Sequence, residues 1–246
     1  MYFLLFLVAA LAGALNSVAG GGSFLTLPAL LYAGISPVAA NATSTFAMWP
    51  ASISSAVAYR REVQTPPSWL AILGAVSLAG GLVGAVLLVR TSDARFMRLL
   101  PYLMLVAATT FTFGSRPRDG GRRFGPGHHG SLALTAALHV PIAIYGGYFG
   151  GGMGIMMLAT YALAGMTDIH EMNGLKAILG AAINGLALLD FVLSGIVAWQ
   201  PGLLMAAGGI IGGYGGAAVA RRIDRSAIRV FVIVIGWTMT VYFFVR

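Results

Sequence analysis

The sequence predicts an all-α polytopic membrane protein of about eight transmembrane segments, built from two four-segment repeats, each with a glycine-broken first helix. Hydrophobic residues make up 58% of the 246 residues and charged residues only 9%, whereas a soluble domain carries roughly 25% charged residues. Long apolar stretches alternate with short charged loops, as in chains that cross a bilayer repeatedly. Glycine triplets interrupt the apolar stretches at matching places in the two halves.

The first half opens with the apolar stretch 2–32, which is longer than the roughly 20 residues that one crossing needs. Gly20, Gly21 and Gly22 lie in its middle, and each glycine costs a helix interior roughly 1 kcal/mol relative to alanine. We therefore expect a broken helix or a re-entrant pair. Prolines suit the starts of the segments that follow. These three segments are expected at residues 37–59, 69–89 and 96–113.

A polar stretch rich in glycine, proline and arginine, residues 114–130, lacks a hydrophobic period and predicts a flexible linker loop. The chain thus divides into a first transmembrane repeat at 1–113, this linker, and a second transmembrane repeat at 131–246. Segment five carries the second glycine triplet, Gly150 to Gly152. Segments five to eight are expected at residues 132–163, 168–197, 201–219 and 228–245.

The two halves match at a nearly constant offset. The glycine triplets align at an offset of 130, and from Asn41 onward an offset of 132 places Asn41 on Asn173 and Ser52 on Asn184. Such regularity indicates an internal duplication. The repeats are parallel if each broken segment crosses once and inverted if it is re-entrant, and the sequence leaves both open. Loop arginines divide seven against seven between the two sides, so the positive-inside rule gives no orientation.

The residue types around the glycine breaks suit a small anion. Broken helices free backbone N–H groups and add partial positive charge at their N-termini. On segment six, Asn173 and Asn184 fall about 20° apart around the helix, and Lys176 lies about 60° from Asn173. A lysine within a span usually faces a cavity or a partner. The candidate substrate-binding residues are Ser17, Gly20, Gly21, Gly22, Ser23, Asn41, Ser44, Thr45, Gly150, Gly151, Gly152, Asn173, Lys176 and Asn184.

Structural roles for the same residues stay open. Asn41 could bond one helix to another, Lys176 could pair with Glu171 or Asp190 or reach the interface, and the glycines could serve packing or hinge motion. Glu171 and Asp190 are also the candidate proton carriers. We interpret His139, the lone histidine of segment five, as a packing residue.

A stretch of the first half resembles the sulfite exporter TauE/SafE family of bacterial permeases. It runs Leu15-Asn16-Ser17-Val18-Ala19-Gly20-Gly21-Gly22-Ser23, followed by Leu27-Pro28-Ala29-Leu30. Gly150 to Gly152 with Asn173-Gly174-Leu175-Lys176 also fits, and the resemblance covers essentially the whole chain. It implies about eight transmembrane segments from a four-segment duplication. It also implies export of sulfite or of small organosulfonates such as sulfoacetate, with coupling to an ion gradient.

We therefore expect a secondary transporter of sulfite, thiosulfate or a sulfonate that works by alternating access in the bacterial cytoplasmic membrane. A passive small-anion channel is the alternative. An intramembrane enzyme would need paired acids or a metal cluster, so we expect no enzyme, no cofactor and no metal. The net charge of +8 is explained by loop arginines at anionic lipid headgroups and not by nucleic acid. The expected partners are the anion and membrane lipids, and a homodimer stays open.

Overall fold

The computed structural model describes residues 1–18, 21–113, 131–219 and 225–245, and this part of the chain is helical without strands. The predicted linker at 114–130 lies outside the described residues. In chain order the helices are α1 (Tyr2–Val18), α2 (Ser23–Tyr32), α3 (Pro37–Ala58), α4 (Pro67–Val89), α5 (Asp93–Phe113), α6 (Leu132–Tyr148), α7 (Met153–Leu163), α8 (Ile169–Leu193), α9 (Trp199–Val219) and α10 (Arg225–Val245).

The helices have the character of membrane-embedded segments. Within the described ranges, α4, α5 and α8 are each long and apolar enough to cross a membrane, and α1, α2, α6 and α7 are shorter apolar helices. Large apolar side chains such as Leu82, Leu87 and Ile211 point outward and are 40%, 48% and 60% exposed. Outward apolar side chains in such numbers would be unfavourable in water and suit lipid. The fold is that of an all-α polytopic membrane protein.

Each of the two broken segments is a pair of helices. The first is divided into α1 and α2, and the second into α6 and α7, with the glycine triplets at the breaks. Gly150 and Gly152 have φ angles of 76° and 80°, a left-handed conformation that favours glycine over residues with a Cβ. A Cβ on Gly22 would lie 2.8 Å from the carbonyl oxygen of Ala12. The start of α2 therefore packs back against α1.

Glycines also allow two pairs of helices to approach backbone to backbone. A side chain on Gly212 of α9 would overlap the carbonyl of Ala10 in α1, and one on Gly84 of α4 would overlap the carbonyl of Ile144 in α6. The helix α1 makes its most extensive contact with α9, and α6 makes its most extensive contact with α4. Each broken hairpin of one half is thus supported mainly by a helix of the other half.

The direction of the helices follows from which residues meet. Trp49 of α3 donates its indole N–H to the carbonyl of Ala181 in α8 at 3.0 Å, while ten residues later the carbonyl of Tyr59 lies beside Gly174. Residue numbers increase along α3 in the direction in which they decrease along α8, so the two helices are antiparallel.

The same relation holds for α5 and α10. The rings of Tyr102 and Phe244 lie 5.3 Å apart, and the indole N–H of Trp237 donates to the hydroxyl of Thr112 at 3.0 Å. Positions again advance along one helix as they recede along the other, so α5 and α10 are antiparallel. Both pairs join segments that occupy corresponding places in the two halves.

Candidate functional site

A cavity of about 60 Å³ lies where the two glycine breaks meet α3 and α8. The first break contributes Asn16, Gly21, Gly22 and Ser23 to its lining, and the second contributes Gly150, Gly152, Met153, Gly154 and Met157. The cavity therefore brings together the two breaks that lie far apart in sequence. At this volume it could hold about four water molecules or one small polyatomic ion.

The rest of the lining comes from one stripe on each of the two antiparallel helices. Members of each stripe recur every three or four residues, which is the spacing of one helix face, and Lys176 and Ala177 stand side by side within the stripe on α8. The stripe on α3 consists of Thr45, Met48, Ser52, Ser55 and Tyr59, and the stripe on α8 consists of Asn173, Lys176, Ala177, Gly180 and Asn184.

Two helix N-termini open into the cavity. The helix α2 begins after Gly22 and α7 begins after Gly152, and neither N-cap residue supplies a side-chain hydrogen bond. The first-turn N–H groups of a helix have no partner within the helix, and the helix dipole places partial positive charge at the same end. In this structure the N–H groups of Phe24, Leu25, Met153 and Ile155 donate to carbonyls of the glycine breaks. The N–H groups of Ser23 and Gly154, two residues of the cavity lining, have no backbone acceptor among the described residues, so they are the first-turn donors left for an anion.

Lys176 is the one charged side chain among the described residues that line the cavity, and it is the only lysine of the chain. Its Nζ donates a hydrogen bond to Oδ1 of Asn173 at 2.9 Å. The amide of Asn173 in turn donates to the carbonyl of Ile169 at 2.9 Å, one turn earlier in α8. The lysine is paired with a neutral amide, so its positive charge stays available to an anion in the cavity.

The other polar side chains differ in what they can offer. The hydroxyls of Thr45, Ser52 and Ser55 each donate to a carbonyl of their own helix one turn earlier. Asn184 is 8% exposed, and its Oδ1 is buried without a hydrogen-bond partner among the described residues. Asn184 therefore has an acceptor left for a hydrogen-bond donor such as an ordered water, and an anion would be bound by its Nδ2 amide group and not by Oδ1.

Several candidate residues lie outside the cavity lining. Asn41 donates its amide to the carbonyl of Tyr148 at 2.9 Å, and the hydroxyl of Ser44 is 2.5 Å from that of Thr26. Gly151 is buried, and its carbonyl accepts a hydrogen bond from the hydroxyl of Tyr145 at 2.8 Å. Gly20 and the side chain of Ser17 lie outside the described part of the chain.

The two candidate proton carriers have different surroundings. Glu171, in the first turn of α8, accepts a hydrogen bond from the hydroxyl of Thr65 at 2.9 Å. Oδ2 of Asp190 is buried and has no hydrogen-bond partner within the described ranges, and Asp190 does not line the cavity. Neither carboxylate is bonded to Lys176 in the described structure, which differs from the structural pairing that the sequence left open.

His139 is only partly accounted for as a packing residue. It is fully buried, and its Nε2 is 2.8 Å from the hydroxyl of Ser77. Its Nδ1 and the hydroxyl of the neighbouring Tyr161 lack partners among the described residues. No group of three His, Asp or Glu side chains in the described ranges is placed to hold a metal ion.

Sequence reasoning missed part of the lining. Met48, Ser55, Tyr59, Met153 and Met157 line the cavity but were not singled out. Helical spacing could have found those on α3, because the stripe continues the face that holds Thr45 and Ser52. The two methionines look like ordinary apolar packing, and only the fold shows that they border the cavity.

Comparison with known proteins identifies the class. The sequence model of the family described as "Sulfite exporter TauE/SafE" matches residues 5–243. The "Probable membrane transporter protein" of Haemophilus influenzae is 28% identical over 241 residues, which cover 96% of this chain and 92% of that protein. No solved structure matches the chain.

Two further relatives carry similar descriptions. The "Probable membrane transporter protein YfcA" of Escherichia coli K12 is 30% identical over 96% of this chain and 87% of its own length. The "Probable membrane transporter protein ORF9" of a Sinorhizobium species is 29% identical over 96% of this chain and 90% of its own length. The chain is thus a membrane transporter and not an enzyme. It belongs to the sulfite exporter TauE/SafE family, and the resemblance drawn from the glycine motifs is confirmed.

Proposed function

We propose that this protein is a secondary transporter that exports a small sulfur oxyanion, sulfite or an organosulfonate such as sulfoacetate, across the bacterial cytoplasmic membrane. The observation that carries the proposal is the central cavity, where two uncapped helix N-termini and Lys176 converge. Backbone N–H groups and one cation complement an oxyanion without any need for a metal.

Transport would proceed by alternating access between two inverted repeats. The antiparallel pairing of α3 with α8, and of α5 with α10, supports a pseudo-two-fold axis in the membrane plane. In that arrangement α1–α2 and α6–α7 are re-entrant hairpins that meet near the midplane, and α3, α4, α5, α8, α9 and α10 cross the membrane. Inverted repeats with broken helices at the midplane are a recurring design of secondary transporters.

The cavity is partly exposed on one side only. Ser55, Tyr59 and Lys176, towards the end of α3 and the start of α8, keep part of their surface exposed. On the opposite side Asn41 and Ser44 are each 1% exposed. A passive channel conducts through a path that is open to both sides, so this asymmetry favours a transporter.

Counterflow in liposomes tests the proposal. Vesicles with purified protein are loaded with unlabelled sulfite and diluted into a trace of ³⁵S-labelled sulfite. We expect transient accumulation of label inside, with saturation as the sulfite concentration rises. Flux that rises linearly and shows no counterflow would indicate the channel. Absence of flux for sulfite, thiosulfate and sulfoacetate alike would exclude the proposed substrate class.

The substitution Asn184→Asp tests whether the amide faces the anion. The new side chain has nearly the same shape but adds negative charge to the cavity, so we expect the apparent affinity for sulfite to fall at least about tenfold at neutral pH. Affinity should recover partly as the pH falls, because protonation neutralises the new carboxylate. Affinity equal to that of the unmodified protein at neutral pH would place Asn184 outside the binding shell. The measurement is the concentration dependence of sulfite counterflow.

A further inference from the structure

The two asparagines at corresponding places in the repeats make different contacts. Asn41 and Asn173 are related by the offset of 132, and Val18 and Tyr148 are related by the offset of 130 that aligns the glycine triplets. Asn41 reaches from α3 to the end of α6 in the other half, where it donates to the carbonyl of Tyr148 at 2.9 Å. Asn173 instead donates to Ile169 within its own helix.

The side of the cavity that holds Asn41 is closed. Asn41 and Ser44 are each 1% exposed, and Thr26 is fully buried. The hydroxyls of Thr26 and Ser44 join α2 to α3 at 2.5 Å, and Phe191 of α8, fully buried in the apolar core, is the repeat counterpart of the cavity residue Tyr59. The side that holds Asn173 is the one along which polar side chains stay partly exposed.

We propose that Asn41 and Asn173 are alternating latches, each of which closes its own side of the cavity by bonding to the last carbonyl of the broken helix in the opposite half. In the structure described here the Asn41 latch is made and the Asn173 latch is not. In the opposite conformation Asn41 releases Tyr148, the Thr26–Ser44 contact separates, and Asn173 donates to the carbonyl of Val18. This inference rests on the proposed alternating access and adds the residues that hold each end state.

Exchange of the two asparagine latches conserves the number of amide–carbonyl bonds between the halves, and the Thr26 hydroxyl keeps its bond to the carbonyl of Gly22 when its contact with Ser44 is lost. The amide that leaves a carbonyl of the opposite half can return to a carbonyl of its own helix one turn earlier, as Asn173 does with Ile169. Two conformations of similar free energy are what an alternating transporter needs. When Asn173 is not bonded to the opposite half, its Oδ1 accepts the hydrogen bond from Lys176 at the open side. Lys176 is therefore exposed to substrate when the Asn173 latch is open.

Cysteine accessibility tests the latches without reference to any substrate. The chain has no cysteine, so single reporters can be introduced directly. Ser55→Cys reports the open side, and Ala187→Cys, at the corresponding position of α8, reports the closed side, where Ala187 is fully buried. The measurement is the rate of alkylation by N-ethylmaleimide in native membranes. In the otherwise unchanged chain we expect rapid labelling at position 55 and slow labelling at position 187.

The latch variant Asn41→Ala should shift this pattern toward the opposite conformation. Because one inter-helix hydrogen bond is lost from only one of the two conformations, labelling at position 187 should rise and labelling at position 55 should fall, so that the ratio of the two rates changes by about tenfold. Thr26→Val should act in the same direction. Asn173→Ala should act in the opposite direction and slow labelling at position 187 further. Thr160→Val, which removes a buried hydroxyl bonded within its own helix, is the matched control and should change neither rate.

Labelling rates that stay unchanged in Asn41→Ala, or that rise together at both positions, would overturn the proposal, since a common rise reports loosened packing. A variant that fails to fold is recognised by its elution in detergent, and Thr26→Val then gives the decisive comparison. A reciprocal change in labelling with no sulfite transport would reject the proposed substrate and keep the latches. Sulfite transport with no reciprocal change in labelling would reject the latches and keep the proposed substrate.

Discussion

Replacement of Lys176 by methionine is expected to reduce sulfite transport by at least about 30-fold, while the protein stays folded. The side chain is the only cation among the described cavity residues, and the loss of one member of a close charge pair costs about 2–5 kcal/mol, where 1.4 kcal/mol is tenfold in affinity. Methionine keeps the length and the apolar stem. The measurement is ³⁵S-sulfite counterflow, with thermal unfolding in detergent as the check on folding.

Two matched variants separate charge from position. Lys176→Arg keeps the positive charge and should retain transport within about tenfold. Arg95→Gln removes an exposed cation at the start of α5, far from the cavity lining, and should leave transport unchanged because exposed charges are screened. Transport by Lys176→Met at the rate of the unmodified protein would remove the lysine from the binding site.

The single lysine also permits a chemical version of the same test. Acetylation of amines removes the charge of Lys176, whereas reductive dimethylation retains it. The N-terminal amine also loses its charge on acetylation and keeps it on dimethylation, so Lys176→Arg protein treated in the same two ways, in which no lysine remains to react, is the control. We expect acetylated protein to lose sulfite transport and dimethylated protein to keep it. Sulfite present during acetylation should also slow modification of Lys176, which peptide mass spectrometry can measure.

Replacement of Gly84 by valine is expected to have the largest effect on stability. A Cβ at this position would overlap the carbonyl of Ile144 and lie 2.6 Å from the amide nitrogen of Tyr148, both backbone atoms of α6. Backbone atoms cannot move away as a flexible side chain can, so α4 and α6 must separate. Overpacking of this severity costs more than about 4 kcal/mol, which corresponds to a fall in melting temperature of about 10 °C in a chain of this size.

Gly74 provides the matched control in the same helix. A Cβ on Gly74 meets no described atom within 4 Å, and valine has a slightly better helix propensity than glycine. Gly74→Val should therefore melt within about 2 °C of the unmodified protein. Equal melting temperatures for the two valine variants would show that the α4–α6 contact is looser than described. The measurement is the fraction of monodisperse protein that survives heating in detergent.

The sequence could predict the membrane class, the broken helices and the polar face of α8, because each leaves a local mark. The glycine triplets coincide with the helix breaks, and Asn173, Lys176 and Asn184 line one cavity face as their helical spacing indicates. These features depend on periodicity and on residue type within a single segment. The antiparallel pairing of α3 with α8 could not be derived, because it depends on which distant helices meet and in which direction.

The sequence could not separate Asn41 from Asn173, because repeat symmetry makes the two positions equivalent and both were expected to bind substrate. The structure gives them different contacts, since Asn41 bonds to Tyr148 in the opposite half and Asn173 bonds within its own helix. Lys176 already differed from its repeat counterpart Ser44 by its charge. The contacts of each asparagine depend on which distant helices meet, and no spacing within a single segment records that.

The broken hairpin of each half packs mainly on a helix of the other half, and this has a consequence for assembly. The helix α1 lies on α9 and α6 lies on α4, so each half supplies the surface on which the other half's hairpin docks. Neither half can bury its own hairpin alone. Two separately expressed fragments, 1–113 and 131–246, are therefore expected to be degraded when made singly and to assemble into one particle when made together.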